Sequence, residues 1–159
     1  MSSKRGGSRV RDPEPNIGML LSQAFRAFVV QLHERLAAAG YPDIRPSHTH
    51  VFQWIGGEGS RVADMAERAQ LTKQAMAQLV EDLEARGYVE RLPDPSDRRA
   101  KIVRLTDAGW AVVRVGNPAI QEIESSWTQL MGEQATGVLR AALQQLIAAH
   151  GRRHPHLPE

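Results

Sequence analysis

The chain has 159 residues, of which 42% are hydrophobic, and a formal net charge of +2 at pH 7. This length allows one compact domain, or a small domain with helical extensions that a second subunit covers. The absence of cysteine excludes thiolate zinc sites, cysteine nucleophiles and thiol redox sensing. No apolar run approaches the roughly 20 residues of a membrane span, and the basic N-terminus lacks the apolar segment of a secretory signal. We therefore expect a cytoplasmic protein without a membrane partner.

Residues 1–16 are polar and rich in charged side chains, so we expect a disordered basic arm. From Ile17 to Ala39 apolar residues recur every three or four positions, which predicts a helix that ends at Gly40. This helix is apolar on more than one side, which indicates that a second subunit packs against it. A shorter helix should follow from about residue 46 to Ile55.

The centre of the chain predicts two helices joined by a tight turn. Residues 63–69 form the first helix, and the second runs from Thr72, a good N-cap residue, to Arg86. Gly87 supplies the left-handed conformation that lets the chain leave the second helix. Apolar residues share one face of this helix, which we expect to be buried: Met76, Leu79, Val80 and Leu83.

A β-hairpin is predicted next, with strands at residues 88–92 and 100–105. The residues between them are typical of turns, and a loop of this length predicts a projecting wing instead of a tight two-residue turn. Thr106 should cap a helix that reaches about Met131, with a kink or break at Gly116-Asn117-Pro118, since proline removes a backbone donor. A last helix is predicted at residues 133–149, and residues 151–159 should be disordered.

Polar side chains near the start of the second central helix have the chemistry that reads base edges in the major groove of DNA. Lysine reaches guanine acceptors or phosphate, and glutamine pairs with adenine. We predict that this helix contacts DNA through Thr72, Lys73, Gln74, Ala75 and Gln78. The alternative is an ordinary solvated helix face, and only the neighbouring hairpin argues against it.

The hairpin loop carries a cluster of basic side chains. Arginine at a projecting loop tip suits the minor groove of DNA, where negative potential is concentrated. Because phosphate would repel Asp97, we expect this side chain to bind the loop backbone or the guanidinium of Arg99 and so to direct Arg99. The predicted DNA-binding wing consists of Asp97, Arg98, Arg99 and Lys101. The arm at residues 1–16 either touches DNA phosphates as well or only keeps the chain soluble.

The run from Leu71 to Gly109 resembles the winged helix of the MarR family of bacterial transcription regulators. Asp97 and Arg99 match the family's Asp-x-Arg wing signature, and Leu105 begins its Leu-Thr-x-x-Gly continuation. The resemblance implies a mainly α fold with a small β wing, and a homodimer that binds a pseudo-palindromic operator in double-stranded DNA. It also implies repression of a nearby promoter, which a small ligand relieves.

These features predict a winged helix-turn-helix at residues 46–110, flanked by dimerisation helices at residues 17–45 and 111–150. Two departures from the family's pattern matter. Where the family often has Ser or Thr, this chain has Ala75, so one hydroxyl contact to DNA is missing. The lack of cysteine argues against the peroxide-sensing branch of the family.

The resemblance also implies an effector pocket between the dimerisation helices and the winged domain. His50 and Trp54 lie four residues apart on one predicted helix face, with His33 on the preceding helix and Trp110 on the helix after the wing. An imidazole and two indoles would hold a flat aromatic acid, such as a phenolic compound. The alternative is that both tryptophans belong to the core and the histidines are hydrogen-bonded linkers.

Other classes of function have weaker support. Zinc needs three or four converging ligands, whereas His48 and His50 face different ways on a helix, and the other candidates lie in the tail: His150, His154 and His156. The sequence has no glycine-rich phosphate loop or nucleophile elbow, so we expect no catalytic residue, no cofactor and no metal. An architectural DNA-binding dimer without a ligand, or a metal-responsive regulator, is the alternative to a ligand-released repressor.

Overall fold

The computed structural model describes residues 14–150, without the side chains of Arg98 and His150. The predicted tail at residues 151–159 and most of the predicted arm, residues 1–13, lie outside the described residues. Within residues 14–150, no helix is long and apolar enough to cross a membrane. The elements in chain order are α1 (Ile17–Ala38), a 3-10 turn (Pro46–His48), α2 (Thr49–Trp54), α3 (Val62–Ala69), α4 (Lys73–Ala85), β1 (Val89–Asp94), β2 (Asp97–Leu105), α5 (Asp107–Met131) and α6 (Glu133–His150).

Helix α1 begins and ends close to where its sequence predicts. The side-chain Oδ1 of Asn16 accepts a hydrogen bond from the backbone N–H of Met19 at 3.0 Å and caps the helix. At the other end Gly40 has a φ of +98°, a left-handed conformation that costs glycine little. Only the second half of α1 reaches the core, through Val29, Leu32 and Leu36.

Helices α3 and α4 form a helix-turn-helix. Gln70 ends α3 in a left-handed conformation with a φ of 55°, and the backbone N–H of Leu71 then donates to the carbonyl of Ala66 at 2.9 Å. The short turn brings the two helices together over a common apolar core. This core includes Met65, Ala66, Met76, Val80 and Leu83. The last three are buried as the sequence predicts, whereas Leu79, predicted to be buried with them, is half-buried.

Strands β1 and β2 form an antiparallel hairpin in which Val89 pairs with Leu105 and Asp94 pairs with Asp97 across a two-residue turn. The expectation of a loop too long for such a turn is therefore wrong. β2 instead contains additional residues near the turn. Pro93 pairs with Lys101 and Asp94 with Asp97, so residues 98–100 have no partner on β1. This bulge at the tip interrupts the regular pairing and leaves the basic segment unpaired.

Helix α5 runs without interruption from Asp107 to Met131 and contains Pro118. Of the predicted kink or break at Gly116-Asn117-Pro118, the break is wrong, because tertiary packing on both sides of the proline outweighs the loss of one backbone donor. Val112 precedes Pro118, Ala119 and Ile123 follow it, and all three are buried in the shared core. Further along, the rings of Phe28 on α1 and Trp127 on α5 meet edge to face, with centroids 5.9 Å apart.

Large apolar side chains on α1, α5 and α6 remain exposed in the single chain. Phe25 is 61% exposed, Leu130 85% and Ile147 69%. Others on the same three helices include Ile17, Leu20, Val30, Val138 and Leu146. An exposed apolar surface of this extent is typical of an interface with another protein chain.

Candidate nucleic-acid interface and ligand cavity

Helix α4 has one buried face and one polar exposed end. Thr72 Oγ1 accepts a hydrogen bond from the backbone N–H of Ala75 at 3.1 Å, so Thr72 caps the helix as predicted. The exposed residues of this end are Thr72, Lys73, Gln74, Ala75 and Gln78. On the opposite side Met76, Val80 and Leu83 are completely buried. The structure thus brings the five predicted helix contacts together on a helix whose position is fixed by packing.

The turn of the wing fixes the backbone of a predicted arginine contact. Asp97 Oδ1 accepts a hydrogen bond from the backbone N–H of Arg99 at 3.0 Å, which is one of the two roles expected for this aspartate. The side chains of Arg99 and Lys101 are exposed, whereas that of Arg98 is not among the described ones. The wing therefore presents Arg99 to solvent from a backbone position that Asp97 restrains.

A buried carboxylate joins the wing to α3. Asp94 is 6% exposed, and its Oδ1 accepts hydrogen bonds from the backbone N–H and the hydroxyl of Ser96 at 2.8 and 2.6 Å. Its Oδ2 accepts from Arg61 Nε at 2.7 Å, and Arg61 Nη2 also lies 3.6 Å from Asp97 Oδ2. The hydrogen bonds from Ser96, followed by that from Arg61, lower the pKa of Asp94 to about 2. Arg61 therefore links the start of α3 to both aspartates of the turn.

Sequence reasoning missed this link. The turn composition between the predicted strands includes Asp94, but no local pattern pairs it with Arg61. The two partners are 33 residues apart, so no local spacing connects them. The one available signal was the pattern Asp94-Pro95-Ser96, in which an aspartate commonly accepts a hydrogen bond from the residue two positions later.

A second polar cluster joins α4 to the 3-10 turn. His48 is fully buried, and its Nδ1 accepts the backbone N–H of Arg45 at 3.1 Å. Its Nε2 therefore carries the proton and donates to Asp82 Oδ2 at 2.8 Å. Hydrogen bonds from Arg86 and then from His48 lower the pKa of Asp82. His48, considered above as a metal ligand, thus positions α4. Among the described side chains of residues 14–150, no three His, Asp or Glu residues could together hold a metal ion.

A cavity of about 430 Å³ lies between α1, α2 and α5. This is the region where the family resemblance implies an effector pocket, and the volume is within the usual range for small-molecule sites. The polar lining residues are Thr49, Gln53 and Asn117. The others are Phe25, Phe28, Val29, Leu32, Leu36, Ile44, Phe52, Val112, Val113, Gly116 and Ile120.

None of the four residues predicted for the effector pocket lines this cavity. His33 lies just behind it, bonded to the Ile44 carbonyl and to Thr49, and burial lowers the pKa of His33. Trp54 lines a different cleft beside the wing, Trp110 is 38% exposed at the start of α5, and His50 is half-buried. The structure does not bring the four together, because apolar core residues from three separate helices form the walls instead.

A helix-turn-helix with a polar exposed end, followed directly by a basic β-hairpin, defines a winged helix-turn-helix DNA-binding protein. Residues 43–100 match the sequence model of the MarR family, so the winged helix-turn-helix of this chain is similar to that of MarR-family regulators. Members of this family are transcription regulators that bind DNA as dimers, and they are not enzymes.

Individual relatives agree with this assignment. The HTH-type transcriptional regulator YdcH of Bacillus subtilis is 23% identical over 122 residues, which cover 76% of this chain and 83% of YdcH. The multiple antibiotic resistance protein MarR of Escherichia coli is 36% identical over 59 residues, 34% of this chain and 41% of that protein. Among solved structures, CouR of Rhodococcus jostii RHA1 bound to p-coumaroyl-CoA is similar in fold, with a TM-score of 0.70 and 23% identity. That match covers 94% of this chain and 99% of CouR.

Proposed function

We propose that this chain is a homodimeric repressor that binds a pseudo-palindromic operator and is released by a small ligand. In each subunit α4 enters a major groove and the wing contacts the adjacent minor groove, with half-sites about ten base pairs apart. The helix contacts are Thr72, Lys73, Gln74, Ala75 and Gln78. In the wing, Arg98, Arg99 and Lys101 contact DNA, and Asp97 holds the backbone of Arg99 in position.

The strongest support is the exposure of Lys73, Gln74 and Gln78 at one end of a helix whose opposite face is completely buried. A reading helix must present hydrogen-bonding groups without moving relative to the rest of the domain. The contact between Asp82 and the buried His48 adds a polar restraint to the apolar packing. A merely solvated helix face requires neither restraint.

The exposed apolar side chains support a dimer formed by residues 17–45 and 111–150. Phe25, Leu130 and Ile147 are each more than half exposed in the single chain, and they lie on α1, α5 and α6. Burying such side chains stabilises an interface by roughly 1.5–3 kcal/mol each. Two winged domains joined through these helices match the two-fold symmetry of a pseudo-palindromic operator.

The cavity between α1, α2 and α5 supports release by a ligand. It touches both the proposed dimerisation helices and the first helix of the winged domain, so a molecule that fills it changes their spacing. A ligand that binds better to one spacing shifts the dimer toward that spacing. CouR, which is similar in fold, was crystallised bound to p-coumaroyl-CoA.

The reading role of α4 is tested by selecting preferred sites from a random DNA pool with wild-type protein and with Gln78→Ala. Loss of a bidentate contact to adenine should relax base preference at one position of each half-site, by roughly 1–3 kcal/mol, and leave non-specific affinity nearly unchanged. Gln121→Ala, an exposed glutamine on α5, is the matched control. A Gln78→Ala protein with unchanged preference and lower affinity for all DNA would mean that α4 is not the reader.

The architectural alternative predicts a different response to small molecules. Phenolic compounds are titrated into the preformed complex of dimer and operator, and the bound fraction is followed by fluorescence anisotropy of labelled DNA. A repressor of the proposed kind loses DNA as a compound saturates it. If no compound changes DNA binding at any concentration, the chain is an architectural dimer.

A further inference from the structure

The cavity between α1, α2 and α5 has a chemical character that limits what it can bind. We propose that it takes an uncharged aromatic molecule that donates a hydrogen bond to Thr49, and that it excludes carboxylates. This rests on the proposed function, because it names the class of ligand for the site through which the repressor is released. The exclusion of carboxylates departs from the aromatic acid expected from the histidines and tryptophans of the sequence.

The walls are almost entirely apolar. Phe28, Leu32 and Val112 are typical of them, and the described lining contains neither a basic nor an acidic side chain. A carboxylate that enters such a site loses its hydration and gains no cation in return, which is strongly unfavourable. A neutral aromatic ring loses little hydration and gains contact with phenylalanine and aliphatic side chains.

Thr49 is the polar group whose hydrogen bonding the structure defines. His33 Nδ1 lies 3.0 Å from the carbonyl of Ile44, and a carbonyl only accepts, so Nδ1 carries the proton. Burial lowers the pKa of His33 below its ordinary value and so favours the neutral ring, in which Nε2 is an acceptor. The hydroxyl of Thr49, 3.3 Å away, therefore donates its proton to Nε2. Its oxygen retains lone pairs, so the complementary ligand group is a donor.

Two further polar groups are the side-chain amides of Gln53 and Asn117. Both residues are exposed, and within residues 14–150 neither side chain has a hydrogen-bond partner. An amide both donates and accepts, so these residues accept an uncharged polar substituent of the ligand but do not neutralise an anion. The cavity thus combines a single defined acceptor with adaptable neutral groups.

The proposal is tested with three probes that share one biphenyl skeleton and are titrated calorimetrically against full-length protein at pH 7 without DNA. Para-phenylphenol is neutral and donates a hydrogen bond, its methyl ether is neutral without a donor, and para-phenylbenzoate is an anion. We expect the phenol to bind at least about tenfold more tightly than either of the others, which corresponds to about 1.4 kcal/mol. Equal or tighter binding of the benzoate, or no binding of any probe, would overturn the proposal.

Two variants locate the binding site. Thr49→Val keeps the shape of the side chain and removes its hydroxyl, so the preference for the phenol over the ether should disappear. Thr128→Val on α5, outside the lining, is the matched control and should keep that preference. Gly116→Leu places a side chain toward Leu36 in the cavity and should abolish binding of all three probes. If Thr49→Val keeps the preference, Thr49 is not the acceptor and the assignment fails.

Parallel titration of the dimer on operator DNA separates this proposal from the proposed function. If the phenol binds selectively but never displaces DNA, the ligand class is correct and release by ligand is wrong. If the protein does not bind an operator at all, the repressor assignment fails while the probe titration still decides the ligand class. Displacement of DNA by the benzoate and not by the phenol would support a ligand-released repressor and overturn the proposed ligand class.

Discussion

Gly109 and Gly116 lie in the same helix, α5, but their surroundings differ. A Cβ atom at Gly109 would overlap the carbonyl oxygen of Tyr88 and come within 3.0 Å of Leu105 Cδ2. At Gly116 the nearest atom is Leu36 Cδ2, 4.0 Å away, which is ordinary van der Waals contact. Glycine at position 109 therefore allows α5 to start directly against the end of α4 and the base of the wing.

Alanine at the two positions should have opposite effects on stability. Gly116→Ala should raise the free energy of unfolding by roughly 0.5–1 kcal/mol, because alanine loses less backbone entropy in a helix. Gly109→Ala has a similar gain in backbone entropy, but its Cβ atom overlaps the carbonyl oxygen of Tyr88. Overpacking of this kind costs about 1–3 kcal/mol. Both variants gain the same backbone-entropy contribution, so the cost of the overlap at Gly109 sets the difference between them. Their free energies of unfolding should differ by about 1–3 kcal/mol, or roughly 2–12 °C in melting temperature.

The assay is thermal unfolding followed by circular dichroism, with both variants and wild type at one protein concentration because dimerisation makes the melting temperature concentration-dependent. We expect the order Gly116→Ala, wild type, Gly109→Ala from most to least stable. A Gly109→Ala protein as stable as Gly116→Ala would refute the close packing of α5 on the carbonyl of Tyr88.

Further predictions concern the wing. Asp94 has a folded pKa of about 2, below its ordinary value of 3.8, so it stabilises the fold above pH 3.8, and this contribution is lost as the pH falls through 2. Asp94→Asn should remove that pH dependence in urea unfolding between pH 4 and pH 2; an unchanged slope would contradict the assignment. Arg61→Ala should weaken minor-groove protection in hydroxyl-radical footprints, whereas Arg68→Ala, an exposed arginine on α3, the helix that begins after Arg61, should not. Equal footprints for the two variants would remove Arg61 as a positioning residue.

Local signals in the sequence were sufficient for most of the winged domain. The apolar spacing on α4 and the cap at Thr72 depend on residues a few positions apart, and the structure has both. The exposed end with Lys73 and Gln78 follows directly from that spacing, because the period of the helix sets which side chains face away from the core.

Features that depend on distant contacts were not predictable in the same way. Pro118 locally favours a break, but packing of α5 on α1 overrides it. The bulge of β2 is set by pairing across the hairpin, and the bond between Arg61 and Asp94 joins residues far apart in the chain. The sequence does not predict the cavity lining, because its residues have the apolar pattern of ordinary core positions. His50 and Trp110 were predicted from side-chain chemistry alone, which does not determine where the folded chain places them.

The most direct test of DNA binding by the wing is the dependence of operator affinity on salt for wild type and Arg99→Ala. Each lost phosphate contact should reduce the slope of log affinity against log salt by about 0.9, so a dimer that loses two should change by about 1.8. Arg114→Ala, an exposed arginine on α5, is the matched control and should keep the wild-type slope. We predict weaker binding and a shallower slope for Arg99→Ala alone. Full affinity with an unchanged slope would contradict the assignment of the wing as a DNA contact.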